Sequence, residues 1–230
     1  MNNLIAAAAA FILLHLLVSG TRAREAAVGA LGEGGYMGLF SLASVGLLVW
    51  LGIAYGVARG AHGDLTYWSA TSPTRWVQFF LQLIAVVFVV AGLTTRNPTA
   101  VGQSASASRP DVVQGMLRIT RHPFLWGVCL WAIGHMLVSG HTAALIFFGA
   151  FLATALLGTV SIDAKRARAL GGDWRGFADH TSNLPFAAIA TGRQSLDIGE
   201  IGLMRLGGGV VLWLLLIGAH PHVFGANAIP

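Results

Sequence analysis

Two histidines, His15 and His135, sit inside long apolar runs of this 230-residue chain. Ionisable side chains are costly in such surroundings and usually mark function. None of the 14 Lys and Arg or 9 Asp and Glu residues lies as deep in a run. Neutral imidazole is a good metal ligand. Two imidazoles facing each other across a helix bundle can hold haem, whose porphyrin supplies the remaining nitrogens. His15 lies 11 residues past Leu4, and His135 lies 11 residues past Phe124. At ~1.5 Å per residue each is roughly 16 Å into its run, close to the middle of a layer ~30 Å thick if the helices enter from opposite faces. A hydrogen bond to a neighbouring helix, or a place in a proton relay, would account for the same two residues.

The other candidates lie nearer the ends of the runs. Arg121-His122-Pro123 precedes the run from Phe124, and Asp163 follows the run from Ala143. Arg121, His122 and Asp163 are therefore accessory candidates. His122 could bind a polar headgroup, exchange protons near neutral pH, or simply cap a helix start. His62 and His141 fall in turns, and His180 falls in a polar segment. His220-Pro221-His222 could catch a surface metal or be exterior decoration. The single cysteine, Cys129, excludes an internal disulfide, a CxxC pair and c-type haem attachment. Phosphate-loop, GxSxG, HExxH and dinucleotide-binding patterns are missing, so common nucleotide and hydrolase chemistries have no support.

These residues need a membrane scaffold to position them. The chain is 55% hydrophobic and 10% charged, against ~25% charged in soluble domains. Its apolar residues cluster in runs. The reading is a single all-α domain, 1–230: a polytopic membrane bundle of about six helices over 4–20, 37–58, 76–93, 124–140, 142–162 and 206–224. The first run is read as a retained helix and not a signal peptide, because its charges, Arg22 and Arg24, follow it. Gly52, Gly56 and Gly60 suggest one closely packed face, although a Gly-rich composition yields such triplets by chance. Thr94 to Asp111, with Arg109-Pro110, reads as an exposed loop. Asp163 to Arg175 reads as either an interfacial helix with Trp174 and Phe177 dipped among headgroups, or a solvated continuation of the fifth helix.

Counting Lys and Arg by alternate loops puts 12 on one side and 2 on the other. The positive-inside rule then places 163–205 in the cytoplasm and both termini outside it. It also makes lipid, not nucleic acid, the partner of the excess positive charge.

Several segments resemble the NnrU family. They are Leu31-Gly32-Glu33-Gly34-Gly35-Tyr36 with Leu39-Phe40-Ser41-Leu42, Ile119-Thr120-Arg121-His122-Pro123 with Gly134-His135, Ser161-Ile162-Asp163-Ala164-Lys165-Arg166, and Thr181-Ser182-Asn183-Leu184-Pro185-Phe186 through Gly192-Arg193. The resemblance implies a bacterial inner-membrane protein linked to nitrite and nitric oxide reduction (denitrification). The same family contains zeta-carotene isomerase, which isomerises a cis double bond with a b-type haem held between two histidines. Those ligand positions match His15 and His135, so the resemblance implies haem b on these two residues. The isomerase also has a histidine pair in the following helix, where this chain reads Leu152-Ala153-Thr154-Ala155. Three functions follow as expectations: a haem protein supporting nitrogen-oxide reduction, a haem-dependent isomerase of a carotenoid-like polyene, or a non-catalytic scaffold. A small lipophilic or gaseous ligand and a redox partner are compatible with the first two.

Overall fold

Apolar composition without charge favours helices, since in lipid a helix satisfies its own backbone. The computed structural model describes residues 1–18, 22–109 and 111–230. The expected end of the first span at residue 20, and Pro110, lie outside the described residues. Helix α1 (Asn2–Leu13) runs directly into a π-helical turn, Leu14–Val18. Helix α2 (Arg22–Ala58) begins earlier than the expected 37. It is broken at Gly32, whose φ of 70° and ψ of 165° suit a residue without Cβ. Then come α3 (Ser72–Thr94), the single turn α4 (Met116–Ile119), α5 (Pro123–Val138) and α6 (Thr142–Leu170). Two short helices, α7 (Gly172–Asp179) and α8 (Ala187–Ala190), precede the last long one, α9 (Leu203–Phe224).

One feature departs from a purely helical reading. Strands β1 (Thr66–Ser69) and β2 (Ser139–His141) pair antiparallel, Thr66 opposite His141. The ribbon is pinned by Asp64, whose carboxylate accepts from the amides of Gly60 and Ala143, each at 2.8 Å, and from His141 Nδ1 at 3.2 Å. Burial alone would raise the Asp64 carboxyl, but these donors hold it below its ordinary value.

Helices α2 (from Ala23), α3, α6 and α9 are long and apolar enough to cross a membrane. Asn2–Val18 and Pro123–Val138 are apolar but shorter, about 25 Å each at the α-helical rise. Bare apolar side chains cover the outside, such as Leu42 at 70% and Val57 at 72% exposure. These are the surfaces of a membrane helix bundle.

Helix α6 is the common wall. Its Ala143 and Ala150 pack with Leu4, Ala7 and Phe11 of α1 and Leu51 and Ala54 of α2. Its Ala144 and Phe148 pack against Ala132 of α5. Helix α3 joins α5 to α9 by close backbone approach. A Cβ on Gly127 would meet Ala85 O at 2.9 Å and Val89 N at 2.9 Å, and one on Gly209 would meet Val87 Cα at 3.0 Å. The expected Gly52, Gly56 and Gly60 face is not packed: a Cβ on any of the three meets nothing within 4 Å. Spacing alone could not tell a seam from an open face.

Gly127→Val is therefore expected to destabilise the bundle by about 1–3 kcal/mol through overpacking, whereas Gly52→Ala is expected to be neutral or slightly stabilising. Thermal unfolding of both variants in detergent, beside wild type, checks the contrast. Equal midpoints would remove the close α3–α5 seam.

Candidate functional site

The two intramembrane histidines share one local geometry. His15 Nδ1 lies 2.8 Å from the carbonyl of Phe11, and His135 Nδ1 lies 2.9 Å from the carbonyl of Trp131. A carbonyl only accepts, so in each ring Nδ1 carries a proton, and in the neutral ring Nε2 keeps its lone pair. That is the arrangement of a metal-ligating histidine with its outer hydrogen bond already in place. His15 also sits in the π-helical turn, a distortion common at functional sites.

The rings are not face to face. Helix α1 packs on α2 and α6, and α5 packs on α3 and α6, with α6 between. Phe151 of α6 touches Phe11, one turn before His15, at 5.1 Å. It also touches Trp131, one turn before His135, at 5.2 Å. Each histidine follows by one turn the residue that touches Phe151, and each ring tilts back toward that residue, its Nδ1 bonded to the carbonyl of Phe11 or of Trp131. His15 rests on Phe11 at 4.4 Å and Phe40 at 5.5 Å, and His135 stacks on Phe148 at 4.7 Å.

A polar residue inside the third run supports His135. Gln82 Nε2 donates to the Trp131 carbonyl at 3.2 Å, the same oxygen that receives His135 Nδ1–H. Gly134 leaves it room, since a Cβ there would collide with the Gln82 amide. A search for ionisable side chains passes over Gln82; a neutral amide between Leu81 and Leu83 was the available signal. Beside Trp131, an apolar cavity of about 240 Å³ opens between α3, α5 and α9, lined by Ala85, Val89, Phe124, Val128 and Leu212. On α6, Thr154 Oγ1 is buried with no hydrogen-bond partner among the described residues.

The three accessory candidates come together at the polar end of the bundle. Arg121 Nε is 3.0 Å from both oxygens of Asp163, and its Nη2 is 2.7 Å from Oδ2. His122 Nε2 donates to Asp163 Oδ1 at 2.7 Å. His122 is 2% exposed, so it faces no headgroup. Its Nε2 is also committed to a carboxylate, unlike those of His15 and His135. Asn183 Nδ2 reaches Asp163 at 3.3 Å, and the Arg121 guanidinium lies 5.7 Å over Trp174. The Arg121 carbonyl accepts from Asn97 Nδ2 at 2.9 Å and Thr99 Oγ1 at 3.0 Å. Asn97 and Thr99 are buried, so the expected exposed loop is in part interior.

Asp163 stands on α6, which continues to Leu170 before turning at Gly171, with a φ of 53°, into α7. Both readings of 163–175 are thus half met. Trp174 and Phe177 are buried against Val112 and Leu117 instead of dipping among headgroups. Elsewhere, Arg118 forks onto Glu200 at 2.7 and 2.8 Å, and this guanidinium holds the Glu200 carboxyl below its ordinary range. His62 and His222 are exposed, and His180 and His220 bond backbone carbonyls.

Asp163→Asn keeps the shape and removes the anion, leaving Arg121 and buried His122 facing a neutral amide. The expected cost is about 3 kcal/mol, read as a lowered unfolding midpoint in detergent. A midpoint equal to that of wild type would show that the cluster does not hold this end together.

Comparison with known proteins gives relatives of one kind. The chain is 39% identical over 82 residues to the chloroplastic 15-cis-zeta-carotene isomerase of Arabidopsis thaliana, and 34% identical over 82 residues to that of Zea mays. Each match covers 36% of this chain and 22% of the relative, so it spans about a fifth of the relatives' length. No solved structure matches. The family model described as NnrU protein matches residues 3–228. The segments that converge on Asp163 (119–123, 161–166 and 181–186) all lie inside that match, and the chain belongs to the NnrU family.

Proposed function

We propose that this protein is a six-crossing membrane protein of the bacterial inner membrane that uses haem b, held by His15 and His135, to isomerise a cis double bond of a lipophilic polyene. The observation that carries the reading is at Trp131. Its carbonyl fixes His135 with Nε2 free, and its side chain lines an apolar cavity of about 240 Å³. The similarity to 15-cis-zeta-carotene isomerases supports the substrate class. The reading rests on the cavity and on His15 and His135.

The donor chemistry fits haem, with two neutral imidazoles whose outer nitrogens are already bonded. Were haem bound, His15 and His135 would hold it, and Phe151 would turn aside from Phe11 and Trp131, which it now touches. When bound, haem b supplies a redox-active iron in an apolar setting. The protein's own residues do the rest. The Phe11 and Trp131 carbonyls hold the two tautomers. Phe148 and Phe40 orient the rings and exclude water, and the cavity accepts an apolar chain from the lipid side. Gln82 is a positioning residue: by sharing the Trp131 carbonyl, it limits how strongly that oxygen draws on His135 Nδ1–H.

The orientation rests on the 12 to 2 division of Lys and Arg. It places the Asp163 cluster in the cytoplasm and both termini outside. Alkaline phosphatase fused after Pro230 is expected to be active, and a fusion active only as a cytoplasmic reporter would reverse the assignment.

The central experiment is an absorption spectrum of purified wild type beside His15→Ala and His135→Ala. A Soret band in wild type that is lost or shifted in each variant is expected, and a haem-free wild type would remove the reading. Haem-loaded protein is then incubated with a 15-cis polyene, and the isomers are separated by chromatography. An unchanged profile argues against isomerisation while leaving haem binding intact. Gln82→Leu is expected to retain haem and lower its midpoint potential, because the Trp131 carbonyl then draws more fully on His135 Nδ1–H and makes Nε2 a more electron-rich ligand.

A further inference from the structure

The polar end of the bundle holds a second cavity, of about 170 Å³, where the end of α3, the residues around 111–115 and the start of α9 meet. Arg96, Arg109 and Arg205 line it, together with Asp111 and Glu200. The two carboxylates are already taken. Asp111 receives Arg109 Nε and Nη2 at 3.1 Å each, and Glu200 receives Arg118, which does not line the cavity. Among the described residues Arg205 has no anionic partner. Its Nη1 and Nη2 donate to neutral carbonyls, Ile201 at 3.0 Å and Thr94 at 3.2 Å, and its buried Nε–H has no acceptor among them. Arg96 is exposed and has no hydrogen-bond acceptor among the described residues.

Three guanidinium groups around one small cavity, one of them exposed and without an acceptor among the described residues, suit an anion with several oxygens, and phosphate matches the planar donor fork. The rim indicates what carries the phosphate. Leu203 at 85% and Met204 at 91% exposure begin α9, and Leu93 at 66% ends α3, so bare apolar side chains stand directly beside the arginines. A headgroup with attached acyl chains matches both halves at once.

We propose that this cavity binds a phosphate group, carried by an anionic glycerophospholipid whose chains lie along Leu93, Leu203 and Met204. The site is independent of haem and of the apolar cavity beside Trp131.

The test uses the full chain in neutral detergent, with thermal unfolding and native mass spectrometry. The additions are phosphatidylglycerol, phosphatidylcholine or inorganic phosphate at matched ionic strength. Phosphatidylglycerol is expected to raise the midpoint and to remain bound, phosphatidylcholine much less so. Each arginine removed, as Arg96→Gln or Arg205→Gln, is expected to weaken phosphatidylglycerol binding about fivefold. Arg175→Gln, an exposed position outside the cavity, removes the same charge and serves as control. Should Arg205→Gln fail to fold, Arg96→Gln decides, since Arg96 is exposed and has no hydrogen bond among the described residues. Equal responses to the two lipids, or equal losses in Arg96→Gln and Arg175→Gln, overturn the site. Inorganic phosphate acting as strongly as phosphatidylglycerol would keep the phosphate site and overturn the lipid.

Discussion

A carboxylate at the edge of an apolar helix is stable only if its charge is answered, and Asp163 is answered twice, by Arg121 and by His122. Both partners stand immediately before Pro123, where α5 starts. The pairing therefore ties α6 to the start of α5 and, through Asn183, to the segment after α7. Thr120 Oγ1 and Trp126 Nε1 both donate to the Asn183 carbonyl, at 2.6 and 2.8 Å, which closes the same knot from the other side. With one end of α5 clamped in this way, the rotation of that helix is set. The direction in which His135 leaves it, a little over three turns further along, is set with it.

At that far end the constraint passes to a single carbonyl. Trp131 O serves His135 and Gln82 together, so α3 and α5 meet through a polar contact in an otherwise apolar seam. In lipid such a bond has no water to compete with it, which favours one register of the two helices. The small residues along the seam permit the approach, and the shared oxygen selects the register.

Much of this was legible in the residues themselves. Runs of apolar side chains located the long helices, because a continuous apolar segment satisfies its own backbone in hydrocarbon only as a helix, whereas a barrel strand alternates. His15 and His135 stood out for their depth. The gaps have physical causes. Burial beyond a run depends on partners distant in sequence: Asn97 and Thr99 read as loop because their acceptor is the Arg121 carbonyl. Trp174 and Phe177 read as interfacial because nothing nearby in sequence announces Val112 and Leu117. The glycine face of α2 has the right period and no partner. Depth counted along separate helices could not show that Phe151 of a third helix stands between the two histidine-bearing ones.

The π-helical turn at Leu14–Val18 has a meaning for how such a chain can change. A π turn is an α-helix that has accommodated one residue too many, and each residue rotates a helix by about 100°. Losing one residue there would close the wide turn to an ordinary α turn and leave the two halves of the segment nearly in phase, because five residues at ~4.4 per turn and four at ~3.6 per turn rotate the chain by almost the same angle. Phe11 would keep its seat on Phe151, while the residues of the turn itself, His15 among them, would shift their register. Length variation in this short stretch is thus a way for related chains to reposition one imidazole without turning the rest of the bundle.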